Sequence, residues 1–199
     1  MERTSIDPRI PHLEPPYEPT VGQALSMMMP MDRGVEPLRL FRTIVRDMPL
    51  GVAMGTMGRF MLSRRESGGA AFDLRTREIV IDRVTARCGC EYEWGVHVTA
   101  FAEKANLTDA QVYSLVHGTG RDSCWEPRDR AVLDMVDELH DTGHVSDDAW
   151  SVLTVHFDES QLLELLILAG WYHAISYLAN GTRTEREPWA ARFPAARID

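Results

Sequence analysis

Cysteine is scarce in this chain: three residues in 199, at Cys88, Cys90 and Cys124. An odd number excludes a fully paired disulfide framework within one chain, so a cytoplasmic protein with reduced thiols is expected. Positive charge is scarce too, with 21 Lys and Arg against 30 Asp and Glu and a net charge of -9. Nucleic-acid binding and docking on an anionic membrane both need clustered cations, and neither class fits. No apolar run is expected to reach the roughly 20 residues that span a bilayer. The opening MERTSIDPRIPHLEPPYEP has no apolar core of the signal-peptide kind. Strand-type alternation, a 20–50 residue repeat and a Gly-rich phosphate loop are likewise missing.

What remains is helical. With 44% hydrophobic and 26% charged residues the chain is long enough to bury a core. Residues 1–20 carry Pro8, Pro11, Pro15, Pro16 and Pro19, which favour an extended arm, loose or laid on a neighbouring subunit. Residues 21–199 read as one all-α domain. Pro37 is placed to open a helix through Leu40, Phe41, Ile44 and Val45, which Pro49 should end. The whole stretch from about Gly22 to Leu62 reads as helical and Met-rich, and Met57 and Met61 are candidates to line a ligand cavity as well as to fill a core. From Asp73 a helix shows Leu74, Ile79, Val80 and Val84 on one side and Arg75, Asp82, Arg83 and Arg87 on the other. Thr108 with Gln111 and Asp158 with Gln161 make capping boxes, Pro127 opens a helix that Gly143 stops, and Ser146 caps another. Leu162–Leu178 is apolar nearly all round, which predicts the buried central helix, ended by Asn180-Gly181.

Chemistry concentrates between Glu78 and His97, where E-IVIDRVTARCGC-EYEW-GV-H combines thiols, carboxylates, a Trp and a His. Helical geometry of about 100° per residue puts Cys90, Glu93 and His97 within an arc of roughly 60°. Glu93 and His97 are i, i+4 neighbours, and a carboxylate partner raises the basicity of an imidazole and fixes its tautomer. Each residue also has a plainer reading: a solvated Glu–His pair, a buried Cys, a core Trp94. Cys88 and Cys90 point nearly opposite ways on a helix, so a disulfide between them needs Gly89 to relax the backbone. C-x-C is a weaker redox signal than C-x-x-C. No complete metal-ligand set is readable around Glu93 and His97, and no metal is expected. His173, within the apolar helix, is a candidate for the same cavity, whereas His140, His144 and His156 read as surface or helix-end residues.

The run RTREIVIDRVTARCGCEYEWGVHVTAFAEKANLTDAQV resembles the signature of the carboxymuconolactone decarboxylase family, which includes alkylhydroperoxidase D. That family carries a Glu followed by C-x-x-C-x-x-x-H or a Y-E-W-x-x-H variant. Here Glu78 stands at the Glu position, Cys90 at the first Cys, Glu93 at the second and His97 at the His, with Tyr92-Glu93-Trp94 giving the variant form. The likeness extends over about residues 37–194.

The resemblance implies an alkylhydroperoxidase D-like helical fold in an obligate homo-oligomer, a trimer or hexamer, without cofactor. It implies two chemistries: thiol peroxidase activity, or acid–base work on a small lactone or carboxylated substrate. Replacement of the second Cys by Glu93 removes the partner thiol unless Cys88 serves, and so favours acid–base chemistry. His97, Glu93, Glu78 and Cys90 are then the catalytic candidates, with Trp94, Cys88, His173, Met57 and Met61 around the substrate. A non-catalytic oligomer that binds a small apolar ligand is the third reading.

Overall fold

The computed structural model describes residues 7–29, 36–63 and 65–197; part of the Pro-rich arm and part of the Met-rich stretch, Met31 included, lie outside them. Nine α-helices are described, and no β-strand is found among these residues. They fall into two compact units, residues 1–70 with 178–188 and residues 71–177 with 189–199.

In the first unit, α1 (Pro19–Met28) opens on its own proline, three residues before the helical pattern was expected to begin. α2 (Arg39–Ile44) is short. Pro49 does not end it but sits in the first turn of α3 (Met48–Leu62), where a missing N–H costs nothing and Asp47 caps the helix by accepting from Leu50 N. The arm packs on its own chain: Leu13 N donates to Arg42 O at 3.2 Å, Arg9 N to Thr182 O at 2.8 Å, and Leu13 and Tyr17 rest against Ala24, Leu25 and Val45.

The second unit is built around α4 (Leu74–Arg87), which packs against α5 (Glu91–Phe101), α6 (Asp109–His117) and α7 (Pro127–Thr142). Its capping Asp73 side chain accepts from Thr76 N at 2.8 Å. The polar side read from the sequence is not a solvated face. Asp82 and Arg83 are buried, and Arg83 donates to both oxygens of Asp137 at 2.7 Å and to the carbonyls of Leu115 and Gly118. Arg75 reaches Asp129 and Arg87 reaches Asp141. α4, buried on nearly every side, therefore takes the central place expected of the apolar helix.

That apolar helix, α9 (Glu159–Thr182), continues through Asn180-Gly181 to Thr182 and is two-faced. Leu162, Leu165, Leu168, Tyr172 and Ile175 are buried, while Leu163 and Tyr177 are 66% and 67% exposed. Its 24 residues are long and apolar enough to cross a bilayer by length and composition, contrary to expectation, with 44% of the apolar window buried inside the fold. The capping boxes form as expected at Thr108–Gln111 and Asp158–Gln161, and Ser146 caps α8 (Asp147–His156). Gly143 closes α7 in the left-handed conformation (φ 73°), and Asn106 takes the same region (φ 54°) after α5.

Candidate active site

Between α4 and α5 the chain must turn within three residues. Gly89 makes that turn at φ 60°, a region open to glycine without a Cβ penalty. Cys90 N then donates to Thr85 O at 2.8 Å, and Cys90 becomes the N-cap of α5 and not part of its helical face. The turn brings Glu78 on α4 to the buried side of α5, which presents Glu93 and His97.

His97 is held at both nitrogens. Nδ1 lies 2.8 Å from Glu78 Oε2, and Nε2 lies 3.1 Å from Tyr172 Oη on α9 and 3.5 Å from Glu93 Oε1. The Tyr172 ring meets the imidazole edge-on at 89°. Arg77 Nε donates to the other Glu78 oxygen at 2.6 Å, and its guanidinium covers the Phe101 ring, itself tilted by 38° against His97. All of Glu78, Glu93, His97 and Tyr172 are 5% exposed or less.

Burial by itself would discharge this imidazole. The two carboxylates outweigh burial, Glu78 more than Glu93, and His97 is pushed up to about 10. At neutral pH the ring is an imidazolium, donating from Nδ1 to Glu78 and from Nε2 to Tyr172. Tyr172 stays a phenol, because burial and then the Glu93 and Glu78 charges drive its pKa well above the ordinary value. Asp82, one turn along α4 from Glu78, is fully buried and neither of its oxygens has a hydrogen-bond partner among the described residues. Burial and the neighbouring Glu78 charge raise its carboxyl well above the usual range, partly offset by His97, which favours the protonated form.

Cys90 is fully buried, and burial pushes its thiol up to about 11. The Glu93 carboxylate adds to this, while the Glu93 N–H and the Ser176 hydroxyl pull the other way. A thiol so placed is almost wholly protonated at neutral pH, the reverse of an activated nucleophile. Trp94 is buried with its ring against Phe193 at 5.1 Å, in a C-terminal segment that lies along α5. There Phe193 N donates to Glu91 Oε1 at 3.0 Å and Ala191 N to Thr99 Oγ1 at 2.9 Å.

The sequence-predicted residues thus separate. Glu78, Glu93 and His97 form one buried cluster, with Glu78 in closer contact with the imidazole than the i, i+4 partner Glu93. Cys88 and His173 converge on His140, which is half-buried at the end of α7 and faces His173. Met57 and Met61 lie on α3 in the first unit, Met57 39% exposed and Met61 buried. Sequence reasoning missed Tyr172 and Asp82. The i, i+4 spacing of Glu78 and Asp82 was a usable signal for the latter; nothing local marks Tyr172, which comes from a helix 75 residues beyond His97.

This arrangement of helices around a buried Glu–His pair shares the helical fold of AhpD-like solved structures. An uncharacterised peroxidase-related protein from a Silicibacter species superimposes with a TM-score of 0.75 at 16% identity, over 96% of this chain and 100% of that one. A Cys-to-Ala variant of the debrominase Bmp8 in complex with 2,3,4-tribromopyrrole gives 0.73 at 12% identity, over 93% and 95% of the two chains. A protein of unknown function from Agrobacterium tumefaciens, provisionally placed with AhpD in antioxidant defence, gives 0.61 at 16% identity, over 72% and 94%. Residues 55–137, the segment that holds Glu78, Glu93 and His97, match the carboxymuconolactone decarboxylase family. No curated protein matches in sequence.

Proposed function

We propose that this chain is a cofactor-independent acid–base enzyme acting on a small carboxylated or lactone-type substrate, by decarboxylation or a related lyase, isomerase or hydrolase step. The observation that carries the reading is His97, a buried imidazolium fixed by Glu78 at Nδ1, with Nε2 directed to Tyr172 and Glu93. Loss of CO₂ from such a substrate leaves an enolate or dienolate, whose oxygen needs a cation and whose carbon needs a proton. The imidazolium supplies both: its charge stabilises the developing oxyanion, and Nε2 delivers the proton. Glu78, anchored by Arg77, keeps the ring oriented and charged. Tyr172 stands beside Nε2 and can pass a proton between the ring and the substrate. Glu93 Oε2 is buried without a hydrogen-bond partner among the described residues, which leaves an acceptor for a substrate hydroxyl or acid proton.

The thiol-peroxidase reading requires a ready thiolate, and the high pKa of buried Cys90 weighs against it. Both readings are separated by one pair of measurements. In a screen of small lactone and keto acids, His97→Ala should lower turnover by about 10²–10⁴-fold, with the helical circular dichroism unchanged. Intact-mass spectrometry after one equivalent of hydroperoxide should find Cys90 still reduced. A Cys90 sulfenate or a Cys88–Cys90 disulfide formed within seconds, or turnover retained in His97→Ala, would overturn the assignment.

We also propose a cytoplasmic homo-oligomer, trimer or hexamer. Val155 on α8 and Leu163, Ile167 and Tyr177 on α9 are exposed apolar side chains that a partner subunit would cover. Light scattering on the purified chain should give three or six protomers; a monomer at micromolar concentration would reject it.

A further inference from the structure

Cys88, His140 and His173 meet in the second unit, and the mechanism above uses none of them. Each offers one ligand atom, and the three atoms lie within 4.8 Å of one another. The residues come from the C-cap of α4, the last turn of α7 and the middle of α9. His173 Nδ1 donates to Ala169 O at 2.9 Å, one turn back on its own helix. That bond fixes the tautomer and leaves the Nε2 lone pair facing inward, the second-shell arrangement common to metal-binding histidines. His140 Nδ1 is 3.0 Å from that Nε2, and the two rings are tilted by 33°.

We propose that Cys88, His140 and His173 form a mononuclear site for a thiophilic late first-row cation of the Zn(II) type, with a fourth position open. Two nitrogens bound tetrahedrally at about 2.0–2.1 Å stand about 3.3 Å apart. The His pair needs to open by only a few tenths of an ångström from its present spacing. A thiolate with two imidazoles is a borderline-soft set that selects Zn(II), Co(II) or copper over Mg(II) or Ca(II). Binding exchanges the Cys88 S–H bond for a sulfur–metal bond and releases that proton to solvent. On His140 the ring proton moves to Nε2 as Nδ1 takes the metal. The nearby Arg87 cation is drawn away by Asp141 and Asp137, which compensate its charge. All three ligands are partly buried, so the site is reachable from solvent.

The test uses the full chain, reduced and stripped with chelator, titrated with Co(II) as a spectroscopic probe. One equivalent per chain should produce a thiolate-to-cobalt charge-transfer band and the intense visible bands of four-coordinate cobalt, and Zn(II) should displace it. Cys88→Ser should lose the charge-transfer band. His140→Ala and His173→Ala should each weaken binding at least about 10-fold. Should His173→Ala fail to fold, His140→Ala at the helix end decides alone. Cys90→Ser and His97→Ala should leave the spectrum unchanged, which separates this site from the acid–base cluster. No saturable one-to-one binding, a charge-transfer band that survives in Cys88→Ser, or one that disappears in Cys90→Ser, would overturn the proposal.

Discussion

A buried carboxyl without a partner is costly, and Asp82 shows how much of this site's design rests on single side chains. Its pKa is raised by burial and by Glu78, so the folded chain holds this proton more tightly than the unfolded chain does. The sign is therefore destabilising at any pH above the ordinary carboxyl range. Asp82→Asn keeps the shape and removes the proton requirement. It should raise stability at pH 7, measured as a higher urea unfolding midpoint. An unchanged or lower midpoint would mean that Asp82 is ionised and paired in solution. At this scale the sequence was legible where spacing is short. The Glu93–His97 pair and the Glu78 position were readable, but Asp82 was read only as part of the polar side of α4, which α6 and α7 cover in the fold. Tyr172 was unreadable, since a phenol in an apolar helix looks like any other core aromatic.

Elements add constraints that no single residue carries. α5 has the C-terminal segment laid along it so closely that a Cβ at Gly95 would sit 2.2 Å from Ala191 O. Backbone cannot yield as a flexible side chain can, so Gly95→Ala should displace residues 189–197 and break the bonds from Ala191 N to Gly95 O and Thr99 Oγ1. A loss of roughly 1–3 kcal/mol is expected, together with a change in Trp94 fluorescence as Phe193 leaves its ring. A variant as stable as the parent would show that the segment is not held there. Helix starts and stops were the most readable part of the chain, since Thr108, Gly143, Ser146 and Asp158 act through local hydrogen bonds. Pro49 was misread because proline ends one helix and opens the next with equal ease. The centre of the unit was also misplaced. Apolar content marked α9, whereas α4 is central and buries its charges by pairing them, above all Arg83 with Asp137.

Across the whole molecule the buried groups titrate with one sign on the alkaline side. His97 has an ordinary value of 6.5 and stands at about 10 in the fold, so its contribution to stability is complete below about 6.5 and is lost as pH rises through about 10. Cys90, moved from 9.0 to about 11, adds loss of the same sign above pH 9. On the acid side, Asp73 works oppositely. Burial opposes its charge, but the Thr76 and Arg128 contacts win and lower its pKa, so its stabilisation fades as pH falls. Thermal unfolding should therefore show a melting temperature that declines between about pH 6.5 and 10, with a shallower decline in His97→Gln. An identical slope in both proteins would place the titrating group elsewhere. That the fold is all-helical was legible from the absence of alternation. The convergence of Cys88, His140 and His173 was not, because those residues are far apart in sequence and meet only when α4, α7 and α9 assemble.

Gly89 separates two neighbourhoods by a single residue. On one side Cys88 looks toward the histidines, on the other Cys90 lies sealed beside Glu93, and the backbone turn and the Ser176 hydroxyl, which reaches both thiols, join them. A change at either thiol is therefore felt at the other through that shared hydroxyl. The left-handed turn at Gly89 is the piece on which both placements depend.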